Sequence, residues 1–349
     1  MSAVSGRVSP ERALRAHVSL IAAAILSLAP MAAAASDARL GKASSVLLDI
    51  IDSRLDKARS GPVPESRSAA PGAQAARAWS TGYGYGSRTG AGAGGATVRG
   101  KGGGGAAGIE HAVDPTLVVG IAAGVARERS SGNGLRSDMS TVSTGAYVAW
   151  SPFDGWELDG FLGNHWVEIE TTRGHDGAAA PFRGDARAPG ISGLAGAGYR
   201  LRSATSMGEG FVKPFVSLAY VSHDRRGYTD SGPSGPRLEF PSKTYERTAG
   251  NIGLAAGVDV NAGGGWTVRP EMRVAWSHYI SNPTSAVPAF LWGAPAIIRD
   301  PEPGRDGAVI DVELTGWKHA DLQLFAGYTG EFRSNEALHQ GRAGVRLNW

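Results

Sequence analysis

The final segment of the chain alternates between small or apolar residues and polar ones. In an extended conformation one face carries Gly341, Ala343, Val345, Leu347 and Trp349, and the other carries Arg342, Arg346 and Asn348. Because successive side chains of a strand point to opposite faces, the segment has one apolar side and one charged side. A strand of a soluble sheet shows the same alternation. The aromatic residue that ends the apolar face, however, is typical of a strand in an outer-membrane barrel.

The clearest strand pattern covers residues 266–276, where six apolar residues occupy every second position. These residues are Trp266, Val268, Pro270, Met272, Val274 and Trp276. The tryptophan at each end matches a lipid-facing strand that reaches both aromatic girdles of a membrane barrel. The opposite face carries Arg269, Glu271 and Arg273, a run of charges that a strand of a soluble sandwich does not usually place on one side. Pro270 removes one donor from the ladder, a local cost that the pattern leaves unexplained.

Similar alternation, together with turn signals, predicts about twelve strands between Trp79 and the end of the chain. They lie near residues 79–87, 100–113, 116–128, 137–151, 155–170, 186–203, 210–223, 243–261, 264–280, 306–318, 320–333 and 337–349. An even number of antiparallel strands is what a closed, single-chain bacterial barrel needs. We therefore predict an all-β fold over residues 79–349, an antiparallel transmembrane β-barrel of about twelve strands.

The predicted connections alternate between short and long. Tight turns are indicated near 114–115, 152–154, 262–263 and 319, and longer polar stretches at 88–99, 129–136, 171–185, 224–242 and 281–305. Only the last hairpin departs from this alternation. Short turns at one end and long loops at the other are typical of outer-membrane barrels, whose turns face the periplasm.

The N-terminal part of the chain has a different pattern. Residues 1–35 are predicted to be a secretory signal peptide, because three arginines precede an apolar run that ends in Ala33-Ala34-Ala35. Residues 44–59 form a helix candidate whose apolar stripe consists of Leu47, Ile50, Ile51 and Leu55. Residues 60–78 follow as a linker rich in Pro, Ala, Ser and Gly. No later apolar run is long enough for a membrane helix, so a membrane-embedded mature chain must be a closed barrel.

Composition narrows the classes of function. The 349 residues include 51 Gly and no Cys, which excludes a disulfide framework and any thiolate metal site. The net charge of +3 is scattered and too small to indicate nucleic-acid binding. The histidines lack metal-binding spacing, and no nucleophile elbow or phosphate-binding loop is present. We therefore predict no enzyme activity and no catalytic, cofactor-binding or metal site. The alternative is a catalytic set of acidic, His or Ser residues that are scattered in the sequence and meet near the outer rim of the barrel.

Residues 79–349 resemble the translocator β-barrel domain of autotransporters, the type Va secretion family. The matching segments begin at Trp79-Ser-Thr-Gly-Tyr-Gly-Tyr-Gly and continue through residues 212–221, 266–278 and 325–332 to the terminal strand. The resemblance implies an outer-membrane barrel of twelve strands, monomeric and surrounded by lipid, in a Gram-negative bacterium. It also implies periplasmic chaperones and a barrel-assembly machinery that reads the last strand, here Gly341, Val345, Leu347 and Trp349. The family draws an N-terminal passenger through the pore to the cell surface.

The chain departs from the family pattern before the barrel. Residues 36–78 are too few for a β-helical passenger, which needs several stacked repeats. The family usually runs a helix directly into the first strand, whereas here the Pro-rich linker separates the two. Three locations therefore stay open for helix 44–59: it plugs the pore, lies in the periplasm or lies at the surface. Some family members cut their passenger by cyclisation of a lumenal asparagine, and no asparagine precedes Asn133.

The charged faces of the predicted strands give the remaining candidate residues. We expect the following charges to face the lumen: Arg269, Glu271, Arg273, Glu331, Arg342 and Arg346. They serve either as paired charges of the wall or as contacts for a passenger or for ions. Arg183-Gly184-Asp185 in a predicted outer loop spells an adhesion tripeptide, for which chance is the better explanation. The predicted function is that of a translocator that passes or hosts an N-terminal segment, and the alternative is a stand-alone narrow pore or a structural or adhesive surface barrel.

Overall fold

The computed structural model describes residues 48, 50–55, 76–90, 97–132, 135–174, 181–232, 237–281, 286–299, 303–319 and 321–348. Residues 48 and 50–55 are helical (α1). The strands are β1 (Ala76–Thr89), β2 (Val98–Ala112), β3 (Leu117–Gly132), β4 (Leu135–Trp150), β5 (Trp156–Arg173), β6 (Phe182–Tyr199), β7 (Leu201–Thr205), β8 (Gly208–Arg225), β9 (Tyr228–Thr229), β10 (Leu238–Phe240), β11 (Lys243–Val258), β12 (Val260–Gly263), β13 (Trp266–Ser281), β14 (Ala286–Leu291), β15 (Ala294–Arg299), β16 (Asp306–His319), β17 (Leu322–Arg333) and β18 (Glu336–Asn348). Within these ranges no helix is long and apolar enough to cross a membrane. The predicted signal peptide and most of the predicted linker lie outside the described residues.

Twelve long strands close into one antiparallel barrel: β1 to β6, β8, β11, β13 and β16 to β18. Each pairs with the next in chain order, while β7 and β12 extend the pairing of β8 and β13. β18 pairs with β1 from Arg77↔Asn348 to Thr89↔Glu336 and so closes the barrel. The predicted twelve-stranded antiparallel barrel is therefore confirmed.

The barrel is apolar outside and polar inside. Large aliphatic side chains such as Ile121 and Leu162 are 63% and 76% exposed on the outer wall, whereas Arg346 is 2% exposed on the inner wall. β5 carries exposed tryptophans at 156 and 166, and β13 carries them at 266 and 276. In each of these strands the two tryptophans are ten residues apart, which corresponds to a rise of about 33 Å along the strand. A strand tilt of about 40° reduces this to a height of about 25 Å. This height matches the apolar band that a transmembrane barrel presents to lipid.

The connections correct part of the sequence prediction. The predicted loop 129–136 is wrong, because β3 extends to Gly132 and β4 begins at Leu135. Arg183-Gly184-Asp185 lies within β6 instead of a loop. On these strand ends the outward positions carry polar residues in place of apolar ones, so the amphipathic pattern of a lipid-facing strand is lost although the hydrogen-bonded ladder continues. Strands therefore project beyond the apolar band at the loop end.

Two of the predicted long loops contain a small second sheet. Its strand order is β15-β14-β10-β9, and its buried core is made of Leu238, Phe240, Val287 and Ala289. Arg173 of the barrel wall donates to Asp230 at 2.6 Å, and the backbone of Ser231 bridges to Arg183. These contacts attach the small sheet to the loop end of the barrel wall.

Candidate functional site

Helix α1 lies inside the barrel. Leu48, Ile50, Ile51 and Leu55 are between 0% and 4% exposed. They share a buried cluster with inward-facing residues of the wall, among them Trp79, Tyr83, Tyr147, Phe161 and Val221. Burying an aliphatic side chain of this size contributes about 1.5–3 kcal/mol, so the four together contribute roughly 6–12 kcal/mol. Apolar packing is therefore the main force that retains the helix.

Three consecutive helix residues contact three different parts of the wall. Asp52 accepts a hydrogen bond from Arg273 of β13 at 2.5 Å. Ser53 accepts one from Arg342 of β18 at 3.1 Å, and Arg54 forms an ion pair with Glu110 of β2 at 2.5 Å. Successive residues of an α-helix point about 100° apart. Contacts in three such directions require that the wall surrounds the helix.

Glu110 is the centre of the first polar cluster. Its carboxylate accepts from Arg54 and from the hydroxyl of Tyr147 at 3.0 Å, and it lies 3.6 Å from Arg346. Arg77 of β1 is its direct cross-strand neighbour. The indole of Trp79 donates to Tyr147 at 2.8 Å, which fixes the tyrosine hydroxyl. One carboxylate thus joins the helix to the first, second and last strands of the barrel.

Arg342 is the centre of the second cluster. Its guanidinium donates to Asp311 at 2.7 Å and to Glu313 at 2.9 Å, and both carboxylates belong to β16. It also donates to the hydroxyl of Thr329 at 2.7 Å. The same side chain reaches Ser53 of the helix. Because Arg342 is bound to three wall residues, it presents a fixed donor to the helix.

The wall contacts define the direction of the helix. Arg54 meets Glu110, two residues from the turn end of β2, and Asp52 meets Arg273, seven residues from the turn end of β13. Leu48 borders a cavity with Val221 and Tyr279, each thirteen residues from the turn end of its strand. Along α1, residues with lower numbers therefore contact the wall further from the turn end. The N-terminal end of α1 points to the loop end of the barrel.

Two cavities border the helix. One of about 30 Å³ is lined by Ile50, Arg54 and Trp79, and the other, of about 110 Å³, is lined by Leu48, Asp52 and Arg247. A water molecule occupies about 30 Å³ in the liquid, so these spaces hold between one and a few waters. Among the residues that the structure describes, the burial of the helix and the small size of these spaces leave a narrow lumen at the level of α1.

The six charges expected to face the lumen all border one of these two cavities. Arg269, Glu271, Arg342 and Arg346 line the smaller cavity, and Glu271, Arg273 and Glu331 line the larger one. Wall groups pair with several of them: Arg269 pairs with Asp259, Glu331 with Arg333, and Arg346 with Glu110. Arg273 and Arg342 contact the helix directly. The wall partners Glu110 and Tyr147 were not among the predicted residues, although Glu110 follows the outward-facing Ile109 and so occupies an inward position.

The terminal-strand residues lie on the closing strand. Gly341 pairs with Gly84 of β1 and with Tyr328 of β17, and Leu347 is 47% exposed on the outer wall. Val345 pairs with Ser80 on one side and Leu324 on the other. Trp349 lies outside the described residues.

A further buried cluster involves His165. Its two ring nitrogens lie 2.7 Å from the hydroxyl of Ser143 and 2.6 Å from that of Ser192, and the ring of His223 lies 5.7 Å away. Since Ser143 and Ser192 are each 3% exposed, this cluster is part of the packing of the wall. In the described part of the chain, no three His, Asp or Glu residues are arranged to hold a metal ion.

Comparison with known proteins agrees with this architecture. A family model described as the autotransporter β-domain matches residues 78–329. The fold is similar to the translocator domain of the autotransporter NalP from Neisseria meningitidis, with a TM-score of 0.65 and 16% identity over 88% of this chain and 97% of that one. It is similar to the transport unit of AIDA-I from Escherichia coli, with a TM-score of 0.62 and 15% identity over 84% and 96%. For the β domain of the Bordetella autotransporter BrkA the values are 0.58 and 15%, over 79% and 100%. No curated protein sequence matches significantly. Because the family match spans most of the sequence, the chain belongs to the autotransporter β-domain family.

Proposed function

We propose that this protein is an outer-membrane translocator that hosts its own N-terminal segment in the lumen and exposes the residues before α1 at the cell surface. The direction of the helix carries this proposal. Leu48 lies towards the loop end and Arg54 towards the turn end. In outer-membrane barrels the long loops face outwards and the turns face the periplasm. A chain that leaves α1 at its N-terminal end therefore leaves on the outer side.

The connection to the barrel supports the same direction. β1 begins at Ala76, which pairs with His111 next to the turn after β2. Leu55, at the other end of the 56–75 connection, follows Arg54 near the same end of the wall. Both described ends of this connection therefore lie near the turn end, and the proposal directs the residues before Leu48 to the surface. The proposal includes export by a signal peptide in residues 1–35 and insertion by an assembly machinery that recognises the last strand.

The occupied lumen argues against a stand-alone pore. Conduction requires a continuous aqueous path, and the spaces beside α1 are about 30 and 110 Å³. In the wall, Glu110 is buried against Arg54 of the helix. Such a fixed partner favours binding of one specific segment over passage of ions. We therefore favour hosting of the N-terminal segment over ion conduction as the function of the barrel.

An epitope tag inserted after Leu40 tests the proposal. We expect protease added to whole cells to remove this tag. A tag in the loop after Ser234 should be removed as well, whereas a tag in the turn after Gly264 should be protected until the outer membrane is permeabilised. Protection of the tag at residue 40 in intact cells, with removal of the loop tag, would overturn the proposal.

A further inference from the structure

Cationic side chains gather on the outer wall of β1 to β4 at the loop end. They are Arg88, Arg99, Lys101, Arg127, Arg129 and Arg136, all exposed and all on outward-facing positions. We call these six residues the basic patch. On β3, Arg127 is the next outward position after Val125, which is 59% exposed in the apolar band. The basic patch therefore begins where the lipid-facing surface ends.

The patch contains like charges that face each other directly. Arg88 is the cross-strand partner of Arg99, and Lys101 is the partner of Arg129. Like charges in such positions repel and destabilise the pairing of the strands. A counter-charge between them would relieve this repulsion.

The protein supplies little of that counter-charge. Asp138 forms ion pairs with Arg129 at 2.6 Å and with Arg136 at 2.8 Å. Among the described residues, no acidic side chain lies within ion-pair distance of the other four members of the patch. Four exposed cations thus lack a described partner at the edge of the apolar band.

The adjoining part of the wall carries more acids than bases at its exposed outward positions. At the loop end of β5, β6, β8 and β11 the exposed outward acids are Glu168, Glu170, Asp185, Asp224 and Glu246. The exposed outward cations on these strands are Arg183 and Arg187, and Arg226 and Arg237 lie in the adjoining connection. The excess of positive charge is therefore a property of one side of the barrel. A demand for solubility alone gives no reason for this separation.

We propose that the basic patch binds the phosphate groups of a phosphorylated glycolipid in the outer leaflet. The acyl chains of such a lipid cover the apolar band, and its phosphates lie at the headgroup level just beyond it. Guanidinium groups bind phosphate oxygens in pairs of parallel hydrogen bonds, and Lys101 adds a point charge. Basic residues at this level are also attracted by the negative surface of a membrane. A phosphate between Arg88 and Arg99 neutralises the repulsion across the β1–β2 ladder.

The test uses the refolded full-length barrel in neutral detergent, titrated with diphosphorylated lipid A and followed by native mass spectrometry. The patch variant combines Arg88→Gln, Arg99→Gln, Lys101→Gln and Arg127→Gln. The control variant removes the same charge at the loop end elsewhere, with Arg183→Gln, Arg187→Gln, Arg226→Gln and Arg237→Gln. We expect at least tenfold weaker binding for the patch variant, and affinity like that of the unmodified protein for the control.

Three further arms make the result decisive. Dephosphorylated lipid A should bind the unmodified protein as weakly as the patch variant binds the phosphorylated form. Heparin, a soluble polyanion, should bind much more weakly than lipid A, and equal affinity would overturn the assignment to lipid. Equal losses of affinity in the patch and control variants would show that binding depends only on net charge and would overturn the proposal. Heat-modifiable migration shows that each variant is folded, and the pair Lys101→Gln and Arg127→Gln replaces the patch variant if that one does not fold.

Discussion

Truncation of Arg54 should weaken the retention of the helix in the lumen. The side chain is 6% exposed, and its partner Glu110 is fully buried. Removing one member of a buried ion pair costs about 3–5 kcal/mol. Because Glu110 keeps Arg346 at 3.6 Å and the hydroxyl of Tyr147, the lower end applies. About 3 kcal/mol corresponds to a roughly hundredfold larger population in which the helix has left the wall.

The absence of cysteine provides a simple assay. Ile51 is fully buried, so a cysteine in its place reacts with a maleimide only when α1 is displaced. With fast opening and closing, the rate of modification follows the displaced population. In purified barrel, adding Arg54→Ala to Ile51→Cys should raise this rate roughly hundredfold.

Arg88→Ala in the same Ile51→Cys background is the control. Arg88 is exposed on the outer wall, so its loss should leave the rate of modification unchanged. Heat-modifiable migration at the assay temperature confirms that the barrel itself stays closed. If Arg54→Ala changes the rate by less than about threefold, the pair with Glu110 does not retain the helix, and the argument from buried charge fails.

Two other predictions concern the loop end and the last strand. Asp230→Ala removes the carboxylate that Arg173 contacts at 2.6 Å, so external protease should cleave within residues 226–242 faster, whereas Asp224→Ala on the exposed wall should have no effect. Similar cleavage rates in both variants would exclude a role of the pair in holding the small sheet. Replacing Leu347 and Trp349 by Ser should abolish assembly in the outer membrane without blocking export to the periplasm. Normal outer-membrane levels, measured by fractionation, would contradict this prediction.

The strands of the apolar band could be predicted because two solvents act on each of them. Lipid selects apolar residues on the outer face, and the polar lumen selects charges on the inner face. On β13, Trp266 and Trp276 are both exposed on the outer wall, and Arg273 between them lines the lumen. A pattern with period two is then visible in the sequence alone.

Beyond the apolar band the outer face no longer contacts acyl chains, so apolar residues are no longer favoured there. At the loop end of β3, Arg127 and Arg129 lie on the outer face beyond the apolar band, and Glu128 faces the interior. Both faces are then polar, and the sequence looks like a loop although the ladder continues to Gly132. The small sheet was missed for a related reason, since β9 and β10 have two and three residues and no detectable period. The basic patch also required the structure, because strand pairing gathers its cations from four separate segments.

The partners of the helix could not be read from the sequence, because they are far apart in the chain. Arg54 and Glu110 are separated by 56 residues, Asp52 and Arg273 by 221, and Ser53 and Arg342 by 289. The first of these separations has a physical consequence. Glu110 of β2, which Arg54 contacts, also lies 3.6 Å from Arg346 of β18, and β1 pairs with both of these strands. Glu110 therefore acquires this second arginine only when β18 pairs with β1, so the final strand both completes the wall and completes the polar cluster that contacts the helix.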